Sequence, residues 1–457
     1  MFNAQSSFDL HKETKALIVS RTVQHPQTET LVSLLKVDLE SLDKPIDSVY
    51  TLGNLASKRV YFVDEEALKK PKEREKVAKK LTQIKDDAIM LLETFDATDI
   101  AVLFEALTVA RYRFNTYKTK SEEDGAVLAY TSTPKQEQAI NEGIIIGEAV
   151  NHTRELINTP YNYLNADKLA AYAQNLTAIK GVEATIYDKK ACEAMHMGAF
   201  LGVNKGSKDE PRLIHLRYQG APKDKARAAL IGKGVMFDTG GYSLKGVQSM
   251  PSMKMDMGGA ATVLGSFEVI ARMEYVSNVD VVIAATDNRI GDDAIVPDDV
   301  LTAADGTTIE IISTDAEGRL TLADALWFAQ KEGATSIIDV ATLTGSVVGA
   351  LGDTYTGAFT NDEAFLNAFK VTCEANQENI WHLPIHEAYK EALKSQTADM
   401  KNSGGRLAGA SVAATFLNHF VKQDIPWIHL DVAGTAYDSK KGASGVLVKS
   451  IAKYFAT

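Results

Sequence analysis

Ser313-Thr314-Asp315-Ala316-Glu317-Gly318-Arg319-Leu320 is the stretch that decides how this chain is read. Two carboxylates and a guanidinium stand at positions i, i+2 and i+4. Residues 308–312 before it are strand-like. Residues 320–330 after it repeat Leu322, Ala325, Leu326 and Ala329 at helical spacing, which gives an amphipathic helix. The small residues Ala316 and Gly318 fit a tight strand-to-helix loop. In an open α/β sheet such a loop faces the ligand crevice. Two hard oxygen donors this close together suit a divalent cation. On its own, the stretch also fits a surface turn with a local Asp/Glu–Arg pair.

Working outward, a second cluster precedes it. An apolar strand at 228–236 leads into Lys233-Gly234-Val235-Met236-Phe237-Asp238-Thr239-Gly240-Gly241-Tyr242-Ser243-Leu244-Lys245. Lys and Asp are costly to bury unless paired or bound to a metal. The GxxxxGK[ST] spacing of a phosphate-binding loop is absent. Met253-Lys254-Met255-Asp256-Met257-Gly258-Gly259 follows and opens a helix carrying Val263, Phe267, Ile270 and Ala271. Taken alone, Asp256 reads as an N-cap and the methionines as core. Together, Asp238, Asp256, Asp315 and Glu317 make four carboxylates on sheet ends and turns, the kind of oxygen-rich cage that two metal ions share. The nine histidines form no HExxH pair, and GxSxG is absent, so neither a histidine zinc site nor a nucleophile-elbow serine hydrolase is supported.

The bulk composition sets limits on the rest. The chain has 457 residues, 45% of them hydrophobic, enough for two or three domains with a real core. A net charge of −11 argues against general affinity for nucleic acid or membrane. Two cysteines, Cys192 and Cys373, exclude a disulfide framework and a Cys-rich zinc site. The first ten residues lack a basic segment followed by an apolar run, and no apolar run reaches spanning length. No signal peptide or membrane span is therefore expected, and the cytoplasm is the expected compartment.

The fold class expected is α/β in two domains. A smaller N-terminal α/β domain with a connecting helix covers 1–158, and a larger domain with a mixed sheet flanked by helices, which holds the carboxylate cluster, covers 159–457. In the first domain, strands are predicted at 16–20, 59–63 and 100–104, and a helix at 71–92 on Val77, Leu81, Ile84 and Ala88. Its lysines, among them Lys76, alternate with Glu73 and Glu75, and no aromatic residue is interleaved. That pattern describes a solvated face better than a nucleic-acid face. Residues 121–135 read as a loop and 136–156 as one long helix ending at Asn158-Thr159-Pro160. The second domain is predicted to hold strands at 182–187, 213–218, 228–236, 279–285, 308–312, 336–340 and 427–432.

The segments Gly232-Lys233-Gly234, Phe237-Asp238-Thr239-Gly240-Gly241, Ser243-Leu244-Lys245, Lys254-Met255-Asp256-Met257-Gly258-Gly259 and Thr314-Asp315-Ala316-Glu317-Gly318-Arg319-Leu320 resemble the leucyl aminopeptidase family in content and interval. Thr342-Leu343-Thr344-Gly345, Asp399-Met400-Lys401-Asn402-Ser403-Gly404-Gly405-Arg406 and Asp431-Val432-Ala433-Gly434 resemble it as well. The likeness covers roughly 150–450. It implies a metal-dependent exopeptidase that removes N-terminal residues, leucine and others, from peptides through a two-metal-activated water. It also implies two divalent ions, Mn2+ or Zn2+, held by Lys233, Asp238, Asp256, Asp315 and Glu317, with Asp238 and Glu317 bridging. Lys245 would stabilise the oxyanion, and Arg319 would hold a bicarbonate that shuttles protons. Met253, Thr342, Leu343 and Gly345 would contact substrate, and the assembly would be a cytoplasmic homohexamer. The family usually has Asn where this chain has Ser313. Two other functions stand beside it: a two-metal phosphoryl hydrolase using the same carboxylates, and a DNA-binding regulator on the peptidase scaffold, for which the basic helix near Lys76 speaks. The first lacks a phosphate cradle, and the second is opposed by the acidic charge.

Overall fold

A computed structural model describes residues 2–4, 9–10, 12–21, 25–84, 87–120, 128–131 and 133–456. The chain forms two compact units, Met1–Asn151 and His152–Thr457. The partition falls inside the helix Pro134–Asn158.

The first unit is built on a six-stranded sheet. Its order is Phe2–Ala4, Leu128–Thr131, Ala88–Leu91, Ala16–Ser20, Arg59–Val63, Ile46–Tyr50. All neighbours are parallel except the last pair. The four inner strands are buried on both faces. Leu17, Val19, Val60, Phe62, Ile89 and Leu91 pack on one side. Ala16, Ile18, Tyr61, Val63, Ala88 and Met90 pack on the other. This is the period-2 alternation of a covered sheet.

Three expectations fail in this unit. Residues 100–104 are not a strand but part of the helix Ala97–Arg111, whose N-cap Asp96 accepts from the Thr98 amide. A five-residue apolar run does not distinguish strand from helix, and here the cap and the fifteen-residue length decide. The helix expected over 71–92 stops at Thr82, and Ala88–Leu91 is a separate buried strand. Of the loop expected at 121–135, residues 121–127 and 132 lie outside the described residues. Leu128–Thr131 is a strand, and the long helix begins at Pro134. On the helix Pro71–Thr82, Lys76 pairs with Glu73 at 2.8 Å and Lys79 with Glu75. The basic face is thus partly neutralised by its own helix.

The second unit holds an eight-stranded mixed sheet. Its order is Ile380–His382, Thr356–Thr360, Trp427–Asp431, Ser336–Ala341, Arg227–Asp238, Asn278–Asn288, Arg212–Gln219, Val182–Tyr187. The central four strands are parallel. Every residue of Asn278–Asn288 is buried, as expected for a strand covered on both faces. The helix Gly258–Arg272 packs on one face, where Ala260 lies against Gly232. The helix Gly318–Lys331 covers the other. Its Leu320, Ala323 and Leu326 share a core with Ala229 and Ile231 of the central strand and with Phe416. The strand expected at 308–312 is only Thr308–Glu310. It belongs to a small separate sheet with Val300–Thr302 and Met400–Lys401. Among the described residues no helix is long and apolar enough to cross a membrane.

Candidate metal centre

The central strand Arg227–Asp238 carries Lys233 inside the sheet and Asp238 at its C-terminal end. Gly240 and Gly241 then turn the chain with φ of 85° and 61°. That backbone region suits glycine. There is also no room for a side chain, since a Cβ on Gly240 would stand 2.8 Å from Asp315 Oδ1. The turn returns Lys245 to the cluster. Its Nζ lies 2.7 Å from Asp238 Oδ2 and also pairs with Asp315.

Asp256 sits in the short 3-10 turn Met253–Met257. It is not the cap of the helix that follows, because Met257 holds that position without a side-chain bond. Instead, Asp256 Oδ1 accepts from Lys233 Nζ at 2.7 Å and from Thr342 Oγ1 at 2.8 Å. Lys233 also donates to the Thr342 carbonyl at 3.0 Å and lies 3.0 Å from Glu317.

The loop bearing Asp315 and Glu317 is held from two sides. Thr314 and Ser243 exchange hydrogen bonds. The Ser243 amide donates to Thr314 Oγ1 at 2.7 Å, and the Thr314 amide donates to Ser243 Oγ at 3.1 Å. Opposite, buried Asn402 accepts from the Ile312 amide at 2.8 Å and donates to the Ser313 carbonyl at 2.7 Å. Arg319 is turned inward and donates to the Asn402 carbonyl at 2.7 Å, with its guanidinium 6.0 Å from the Phe416 ring centre. A surface turn with a local Asp/Glu–Arg pair is therefore not what these residues form.

The result is one cluster. Asp238, Asp315 and Glu317 each bring a carboxylate oxygen within 4.8 Å of the others, and Lys233 links Glu317 to Asp256. Burial, reinforced by the charge of Glu317, pushes Asp238 up to about 6. Burial raises Asp256 well above the usual carboxylate range. For Glu317 burial also opposes ionisation, but Lys233 and Lys245 outweigh it and hold the group low. Lys233 is held charged because Asp256, Glu317 and Asp238 overcome the burial that opposes it. Burial pushes the Arg319 guanidinium down to about 10.

Three buried polar atoms here have no hydrogen-bond partner: Asp256 Oδ2, Glu317 Oε2 and Arg319 Nε. Orphaned buried carboxylate oxygens are expensive unless a cation answers them. The donor set, four carboxylates and a lysine that would ligate only as the neutral amine, its proton displaced by a nearby dication, suits hard or borderline divalent ions. The unanswered Arg319 N–H likewise fits a small anion.

The residues expected to meet substrate lie around this cluster. Met253 opens the turn that bears Asp256. Thr342 is buried against Asp256, Leu343 is half-buried, and Gly345 is the exposed first residue of the helix Gly345–Leu351. The buried Asp431 carboxylate fastens their loop. It accepts from the Leu343 amide at 3.0 Å, Thr344 Oγ1 at 2.7 Å and the Ala433 amide at 3.2 Å. Sequence reasoning assigned no role to Asn288, Asn402 or Asp431. Asn402 and Asp431 lie inside stretches already singled out, but neutral amides and a lone Asp carry no spacing signal.

Fold and site together define a two-domain α/β protein with a buried, lysine-neutralised carboxylate cluster of the metallohydrolase kind. The sequence pattern of the cytosol aminopeptidase family, catalytic domain, matches residues 151–452. A probable cytosol aminopeptidase of Bacillus subtilis (strain 168) is 40% identical over 449 residues, covering 92% of this chain and 90% of that protein. A mutant of tomato leucine aminopeptidase superposes with a TM-score of 0.85 at 27% identity, covering 100% of this chain and 96% of the other. The bottromycin maturation enzyme BotP, in complex with Mn, superposes with a TM-score of 0.84 at 25% identity, covering 97% and 99%. The chain belongs to the cytosol aminopeptidase family, and is a metal-dependent aminopeptidase.

Proposed function

We propose that the protein removes N-terminal residues, leucine among them, from peptides, with Lys233, Asp238, Asp256, Asp315 and Glu317 holding two divalent cations, Mn2+ or Zn2+. The observation that carries this reading is the pair of buried, unpartnered oxygens, Asp256 Oδ2 and Glu317 Oε2, in a cluster of four carboxylates. When bound, such a pair supplies a water of lowered pKa and a Lewis acid for the scissile carbonyl.

The remaining work falls to the chain. Lys245, held at the cluster edge by Asp238 and Asp315, is the charged donor for the developing oxyanion. Arg319 presents its free Nε–H to a small oxyanion, bicarbonate being the choice, and so places a proton carrier beside the reaction. Met253 and Leu343 line the side-chain pocket, and Thr342 and Gly345 offer backbone groups to the peptide. A cytoplasmic homohexamer is part of the same reading, and it rests on the resemblance to the family.

The test is elemental analysis of purified variants. Asp315→Asn and Glu317→Gln are each expected to lose metal as well as activity. Full two-metal occupancy in Glu317→Gln would reject Glu317 as a shared ligand.

A further inference from the structure

We propose that Asn288 is a positioning residue for the metal pair, its side-chain amide locking Asp238 against the loop that carries Asp315 and Glu317. This rests on the reading of Asp238 as a metal ligand.

Asn288 ends the fully buried strand Asn278–Asn288 and is itself 2% exposed. Pairing with the central strand is regular up to Thr286 and then slips, so that Asn288 stands opposite Asp238. An irregularity of this kind re-aims a side chain, and such bends concentrate beside active sites. The re-aimed amide spends its donors on two partners. Nδ2 donates to Asp238 Oδ1 at 2.8 Å and to the Thr314 carbonyl at 3.0 Å. The first partner is the carboxylate at the end of the central strand. The second is the backbone immediately before Asp315. The Asn288 carbonyl in turn accepts from the Thr239 amide at 3.0 Å and from Thr239 Oγ1 at 2.8 Å, which holds the start of the glycine turn.

The consequence for Asp238 is directional. Its Oδ1 receives both the Asn288 amide and the Gly240 amide, the latter at 2.7 Å. Its Oδ2 is left facing Lys245 and the cluster. A carboxylate held by one oxygen cannot spin about its Cβ–Cγ bond. Asn288 thereby ties the end of the central strand to the loop that carries Asp315 and Glu317 before any ion arrives. An apolar side chain of the same volume would fill the space without making that link.

Outer partners of metal ligands typically account for 10–100-fold in metal affinity. The test is calorimetric titration of Mn2+ into chelator-treated full-length protein, wild type beside Asn288→Leu and Asp238→Asn, with apo-protein melting temperature measured alongside. In Asn288→Leu, Mn2+ affinity at one or both sites is expected to fall by roughly 10–100-fold. Asp238→Asn is expected to lose at least one site. If Asn288→Leu binds Mn2+ as tightly as the wild type while Asp238→Asn does not, the positioning role is overturned and the metal assignment stands. If Asp238→Asn keeps both sites, the ligand reading itself fails, and this proposal with it. Should the Leu variant not fold, Asn288→Ser carries the same comparison, because its shorter side chain cannot span both partners. A lower melting temperature with unchanged Mn2+ affinity in that variant would make Asn288 merely structural and overturn the proposal.

Discussion

Gly318 lies against the stem of Lys233 so closely that a Cβ at position 318 would stand 2.3 Å from Lys233 Cε. The first residue of one catalytic-face helix thus sets the path of a lysine on the central strand. Gly318→Ala should push Lys233 off Asp256 and Glu317 without touching any carboxylate. The expected outcome is a folded protein that retains less than its full metal after gel filtration. Unchanged metal content would show that Lys233 is not constrained through this contact.

The two lysines make separable predictions. Lys245→Met should keep the fold and both metals and lower kcat by roughly 10²–10³, the scale of losing one oxyanion donor. Lys233→Met should weaken a metal site instead. Metal content measured beside kcat distinguishes them. Loss of metal in Lys245→Met with retention in Lys233→Met would exchange the two roles.

Asp324 gives a pH signature away from the metal cluster. It lies on the helix Gly318–Lys331, and its two oxygens accept from the Phe200 and Ala304 amides at 2.8 Å each. Burial pushes its carboxyl up to about 7. A carboxyl raised on folding contributes stability that is full below its unfolded pKa near 4 and is lost as pH rises through 7. The ceiling on that loss is about 4 kcal/mol. Asp324→Asn replaces one acceptor with a donor facing a backbone N–H, so its denaturation midpoint should fall at pH 5. Its decline in stability between pH 5 and pH 8 should be shallower than that of the wild type. Parallel declines in the two proteins would remove Asp324 as the titrating group.

Much of this was legible in the sequence, and the reason is physical. The inner strands of the large sheet are largely apolar runs, and the charged site residues stand out against them, within the central strand, at its end and on the turns that follow strands. Lys233, Asp238, Asp256, Asp315 and Glu317 stand out because burying them is expensive, and the structure brings them together. Two of the misread segments are short apolar runs that carry no period, 100–104, where a helix forms, and Ala88–Leu91, where a strand does. Asn288, Asn402 and Asp431 escaped notice because their work is to make hydrogen bonds across long sequence separations. Asn402 reaches the Ser313 carbonyl 89 residues away. No local pattern encodes that distance.

The most direct test of the central claim is the hydrolysis of one leucyl peptide and its N-acetylated form by Mn2+-loaded protein at matched concentration. The free peptide is expected to lose its N-terminal residue, and the acetylated one to survive. Comparable turnover of the two would contradict an aminopeptidase acting at this carboxylate cluster.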